Sequence, residues 1–177
     1  FSMSMEQGAA YLKGHYPLKE SEAEILEGIQ DMLRDFYEDE VPAKAGARET
    51  LALLQSRGIP MAAATSSPRT HVTRALDRLG LLPYIEAIFT TGEVGRSKHE
   101  ADIYHLAAQA LHTAPAETLV FEDSLYALRT AHSAGYPTVG VYDANGESDQ
   151  QGMRSAADIY LVSLREFPAA WERLNRL

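Results

Sequence analysis

The sequence predicts an α/β fold: a parallel sheet covered by helices on both faces, preceded by a small all-helical unit. Two patterns predict it. From residue 42 onward, short and continuously apolar runs alternate with helical stretches, as in strands buried on both sides. Before that point every signal is helical and the charge differs: residues 1–40 hold 10 acids and 3 bases, residues 41–177 hold 15 and 13. A composition step of this kind marks a boundary, which divides the chain into 1–41 and 42–177.

The helical unit opens on Ser4 with Gln7, a capping box for a short helix through Ala9, Ala10 and Leu12 that Gly14 and Pro17 end. Ser21 with Glu24 repeats the box ahead of Ile25, Leu26, Ile29, Met32, Leu33 and Phe36, spaced three and four apart. Glu27, Asp31, Asp35 and Glu38 make the opposite face a solvated acidic surface. Val41-Pro42 ends this helix as a hinge or linker. Next, a helix carrying Leu51, Leu53 and Leu54 stops at Gly58, and residues 59–64 form the first strand. A helix over 68–79 stops at Gly80 before strand 87–90. Helix 101–111 precedes strand 118–121, and helix 125–134 stops at Gly135 before strand 138–142. Residues 143–151 read as a polar loop, 159–162 as a last strand and 164–177 as a last helix.

With 177 residues, 45% of them apolar, and a mean hydropathy of −0.25, the chain has the composition of an ordinary globular protein with a full core. A net charge of −9 without a basic run argues against a grip on nucleic-acid phosphates. No apolar stretch approaches the roughly 20 residues of a membrane helix. Having no cysteine, the chain lacks disulfides, thiolate nucleophiles and thiolate zinc sites, which fits a reducing cytosol and a cytoplasmic location. Phe1-Ser2-Met3-Ser4 has neither the basic start nor the apolar run of a signal peptide.

Ligands of such sheets sit beyond the carboxyl ends of the strands, so the chemistry is sought there. The first end reads Thr65-Ser66-Ser67-Pro68-Arg69, where hydroxyls and backbone N–H groups at a helix start could cradle phosphate. Taken alone, such hydroxyls more often cap the helix. Glu122-Asp123-Ser124 ends another strand, and adjacent carboxylates there are costly unless they meet a cation or donors. Their oxygens suit Mg²⁺, while Asp123 or Ser124 would serve equally as a cap. Lys98 precedes helix 101–111, where the macrodipole disfavours a cation unless an anion shares the site. Taken alone, a solvated surface lysine is the commoner case. Asp143 reads most simply as a loop residue, and the six histidines show no metal spacing. No nucleophile elbow and no glycine-rich dinucleotide loop occur.

Together, Thr65, Lys98 and Glu122-Asp123-Ser124 stand in the order and spacing of the haloacid dehalogenase (HAD) superfamily. The chain resembles the phosphatase and phosphomutase branch of that superfamily, the β-phosphoglucomutase-like group with a small helical cap. The resemblance implies a HAD-like Rossmannoid, doubly wound parallel sheet, with residues 1–41 the C-terminal part of a cap. It implies that Thr65, with Ser66 and Ser67 beside it, binds the transferring phosphoryl group, and that Lys98 neutralises that group and the nucleophile. Asp123 then ligates Mg²⁺, with Glu122 supporting the metal directly or through water. The sequence departs from the family at His99, where proline often follows the lysine, at Ala101, where a second proline or an arginine is usual, and at Ala127, where glycine often stands.

A larger departure is the family's Asp-x-Asp-Gly-Thr motif, which carries the nucleophile at the end of the central first strand and is absent from these residues. A sheet lacking that strand would leave buried N–H and C=O groups unpaired, at about 1–3 kcal/mol each. The expectation is therefore that strand and nucleophile lie a few tens of residues upstream of Phe1. The alternative is a true truncation, rescued by a strand from another chain or left inactive. The resemblance implies a Mg²⁺-dependent phosphatase acting on a small phosphorylated metabolite through an aspartyl-phosphate. A sugar-phosphate mutase is the first alternative, and a non-catalytic phosphate-binding or regulatory protein the second.

Overall fold

The computed structural model describes residues 5–174. The Ser4 half of the first capping box and residues 175–177 of the last helix lie outside the described residues. The chain divides into two compact units, Phe1–Val41 and Pro42–Leu177.

In the first unit, α1 (Met5–His15) and α2 (Glu22–Asp35) pack on each other. Ser21 caps α2 as the sequence predicts: its hydroxyl accepts from the Glu24 N–H, and the Glu24 carboxylate accepts from the Ser21 N–H at 2.7 Å. Below Phe36 the helix widens into a π-helical turn, Phe36–Glu40, closed by Val41 N–H donating to the Phe36 carbonyl at 2.7 Å. The apolar stripe of α2 is only half-buried at Ile25, Leu26, Ile29 and Leu33, and Met32 and Phe36 are exposed.

The second unit holds five strands: β1 (Ala62–Thr65), β2 (Ala87–Thr90), β3 (Val120–Glu122), β4 (Thr138–Val141) and β5 (Ile159–Leu161). Its helices are α3 (Ala47–Ser56), α4 (Arg69–Arg78), α5 (Thr91–Val94), α6 (Asp102–Ala110), α7 (Leu125–Ser133), α8 (Gln150–Ala156) and α9 (Phe167–Leu174). Every strand pairing is parallel, but the sheet is in two parts: β1 pairs with β2, and β4 stands between β3 and β5. Helices cover both faces. On one, Leu54 of α3 and Phe167 and Ala170 of α9 pack with Val139, Val141 and Leu161. On the other, Ile103, Tyr104 and Ala108 of α6 share a core with Val120, Ala131 and Tyr136, and reach Ala64 and Phe89 of the other sheet part. α6 thus spans both parts.

Several boundaries differ from the sequence reading. The first strand starts at Ala62 rather than 59, because the Ile59 N–H still closes the end of α3 by donating to the Leu54 carbonyl at 3.1 Å. β3 starts at Val120 and includes Glu122, because the Thr118 hydroxyl is tied into the preceding turn by the Ala114 carbonyl at 2.9 Å. Two short helices escaped the reading. α5 is capped by the Thr90 hydroxyl, and α8 grows out of the expected loop with Asp149 accepting from the Gly152 N–H at 2.7 Å. The last helix opens with a tight 3₁₀ turn, Leu164–Glu166.

Gly46 shows why α3 starts where it does. Its φ is +89°, and a Cβ there would lie 2.3 Å from the Arg165 backbone nitrogen, so only glycine fits. Among the described residues no helix is long and apolar enough to cross a membrane.

Candidate active site

The carboxyl ends of β1, β3 and β4 carry the groups picked out above. Lys98 lies in the turn before α6, and its ammonium donates to Glu122 Oε1 at 2.6 Å. The two side chains are 12% and 5% exposed, so Lys98 is not a solvated surface lysine. Burial of such a pair holds up only when the remaining lone pairs are served. Tyr104 supplies that donor from α6: its hydroxyl donates to the same oxygen at 2.8 Å. Burial and the neighbouring Glu122 charge push the Tyr104 phenol well above its ordinary range, so it stays a proton donor.

Asp123 follows at the strand end, half-buried, and meets Lys44 at 3.2 Å. Lys44 also holds Asp143, whose other carboxylate oxygen accepts from the Asn145 N–H at 2.8 Å. Burial works against the Lys44 charge, yet Asp143 and Asp123 raise its pKa above the ordinary lysine value. Lys44 in turn draws the Asp143 carboxyl below the usual range. Asp143 is a loop residue, as read, but one placed at a strand end with a specific partner.

Of the two readings of this strand end, the cap on α7 does not form. Ser124 stands at the N-cap without a side-chain hydrogen bond, and Glu147 from the loop before α8 accepts from the Leu125 N–H at 3.0 Å instead. The Asp123 carboxylate is thereby left to face Lys44.

The hydroxyl loop is built separately. Thr65 Oγ1 accepts from the Ser67 N–H at 3.1 Å, folding Thr65-Ser66-Ser67 into a tight turn, while α4 begins behind Pro68 without a side-chain cap. Arg69 fixes the turn's far end, donating to the Ile88 carbonyl at 2.6 Å and to both oxygens of Glu93. That guanidinium holds the Glu93 carboxyl down at about 2. The structure therefore joins Lys98 to Glu122, and Asp123 to Lys44. It does not bring the Thr65 hydroxyl into hydrogen-bond contact with either pair.

A cavity of about 610 Å³ opens between the two sheet parts, lined by Ala62 and Ala64 of β1, Val120 and Glu122 of β3, Lys98 and Tyr104. Among the described residues no strand pairs with the outer edge of β1 or β3. The slot is apolar along its length and polar where the strands end.

The carboxylates at the strand ends suit a hard cation such as Mg²⁺. They offer oxygens only, and no group of three or more metal-ligating side chains occurs among the described residues. Mg²⁺ asks for no more, since it keeps several waters and takes one or two carboxylates alongside substrate phosphate.

Sequence reasoning missed Lys44 and Tyr104. A tyrosine on the apolar face of α6, beside Ile103 and Ala107, signals a buried hydroxyl with a partner. Lys44 carried no local signal, being 99 positions from Asp143.

The family model "haloacid dehalogenase-like hydrolase" matches residues 5–135. The chain is 33% identical over 121 residues to validoxylamine A 7'-phosphate phosphatase of Streptomyces hygroscopicus subsp. limoneus, covering 68% of this chain and 55% of that one. It is 27% identical over 161 residues to the phosphorylated carbohydrates phosphatase of Thermotoga maritima, covering 90% and 74%. The chain thus spans about half of the first relative and three quarters of the second. A putative β-phosphoglucomutase from Thermotoga maritima has the same fold, with a TM-score of 0.78 and 27% identity over 97% of this chain and 79% of that one. On a family match that covers most of its length, the chain belongs to the haloacid dehalogenase-like hydrolases.

Proposed function

We propose that the protein is a Mg²⁺-dependent phosphatase of small phosphate monoesters, a sugar phosphate or similar. The observation that carries this reading is the buried Lys98–Glu122 pair at a strand end, with Asp123 next in sequence. A buried ammonium there is a ready counter-charge for phosphoryl oxygens, and phosphoryl transfer asks chiefly for positioning and charge neutralisation. The names of the two phosphatase relatives support the substrate class.

On this reading the Thr65 hydroxyl and the Ser66 N–H donate to the phosphoryl oxygens, with Ser67 holding the turn, and Lys98 neutralises the charge that builds on them. Asp123 and Glu122 would hold the metal, which supplies further neutralisation and orients the phosphoryl group. The nucleophile of this reading is an aspartate on a strand that would pair with the outer edges of β1 and β3. Its carboxylate would attack phosphorus as the ester P–O bond breaks and the leaving oxygen takes a proton from a second acid or from water. Water would then attack the acyl phosphate, restoring the carboxylate and releasing inorganic phosphate. Residues 1–41 would form part of a helical cap unit.

A sugar-phosphate mutase is the second reading, favoured by the likeness to the putative β-phosphoglucomutase. A panel of phosphate esters with Mg²⁺ separates the two. The phosphatase reading expects inorganic phosphate in step with substrate loss. An isomerised sugar phosphate without phosphate release would favour the mutase, and Mg²⁺ or phosphate binding without turnover would overturn both.

A further inference from the structure

The proposed chemistry gives Lys44 no role. It stands just after the Val41/Pro42 boundary, and the backbone behind it is pinned: the Ser163 hydroxyl donates to the Ala45 carbonyl at 3.2 Å, and Gly46 is backed against Leu164 and Arg165. From that anchored base its ammonium reaches the carboxylates at the ends of two neighbouring strands, Asp123 after β3 and Asp143 after β4. Lys98 does not share this duty, since its ammonium pairs with Glu122 rather than with either carboxylate.

We propose that Lys44 is a built-in counter-cation: it holds Asp123 when no divalent ion is bound, and a divalent ion must displace it. The inference rests on the reading of Asp123 as a metal ligand. Two positive charges cannot share the same carboxylate oxygen closely without strong repulsion. Asp143 gives the displaced ammonium a place to rest, because the Asn145 N–H already orients its carboxylate. Lys44 therefore moves between sharing two carboxylates and keeping one. It is a positioning residue that sets metal affinity and links metal occupancy to the start of the second unit.

Calorimetric titration with Mg²⁺, without substrate, tests this apart from turnover. Lys44→Met should bind Mg²⁺ about two- to fivefold more tightly than the wild type, the range set by releasing a half-exposed ion pair. Lys44→Arg, which keeps the charge, should return the affinity close to wild type. Asp143→Asn, by taking away the resting place, should weaken binding, and this weakening should vanish in the Lys44→Met background. Unchanged or weaker binding by Lys44→Met overturns the inference, as does an Asp143→Asn effect of equal size in both backgrounds. If Asp123→Asn binds Mg²⁺ as well as the wild type, the metal reading itself fails and takes this inference with it.

Discussion

Breaking the Lys98–Glu122 pair from one side leaves a charge with little access to water, whereas removing the Tyr104 hydroxyl leaves the pair intact. The two losses should differ in size. Lys98→Met is expected to cost about 3 kcal/mol of stability, the lower end for stranding one member of a buried pair. Tyr104→Phe is expected to cost about 1 kcal/mol, the net value of a hydrogen bond whose acceptor keeps another partner. Urea denaturation of both variants checks the order; equal losses would mean that Tyr104 and Lys98 share the Glu122 charge evenly. At this scale Lys98, Glu122 and Asp123 were legible because each sits where a buried strand or a helix start makes a charge expensive. Lys44 was not, since only the fold brings residue 44 to residues 123 and 143.

At the scale of elements, β4 shows how a strand is held at its start. Asp158, just before β5, accepts from the Thr138 N–H at 2.7 Å and the Thr138 hydroxyl at 2.9 Å, and Thr138 is fully buried. Asp158→Ala should cost about 1–3 kcal/mol by leaving that N–H unserved. Burial tends to raise the Asp158 carboxyl, but the Thr138 donors, with His132 nearby, bring it below its ordinary value. Because the folded value lies below the unfolded one, the stabilisation is present above about pH 4 and is lost as pH falls through the folded value. Stability measured from pH 6 down to 2 should therefore fall less steeply on the acid side in Asp158→Ala. An unchanged acid slope would remove Asp158 from the account. The strands and long helices were legible from apolar runs and glycine stops; Gly135, for instance, ends α7 with a φ of +87°. The helices that escaped, α5 and α8, have four and seven residues, too short for an apolar period to show.

The second unit is a helix-covered parallel sheet in two parts, with a slot between them that ends at Lys98 and Glu122. The sequence reading expected one parallel sheet; the structure divides it where no described strand bridges β1 and β3. The order of motifs made the family legible, because three strand ends must converge for any of them to matter. Substrate choice was not legible, since the acidic helix α2 presents only a solvated face. The central claim is that Asp123 and Lys98 serve one Mg²⁺-dependent phosphoryl-transfer site. Phosphate release by the protein and by Asp123→Ala, each measured with and without Mg²⁺, tests it most directly. The account predicts release that requires Mg²⁺ and is lost in Asp123→Ala; release by Asp123→Ala that keeps its Mg²⁺ dependence would contradict it.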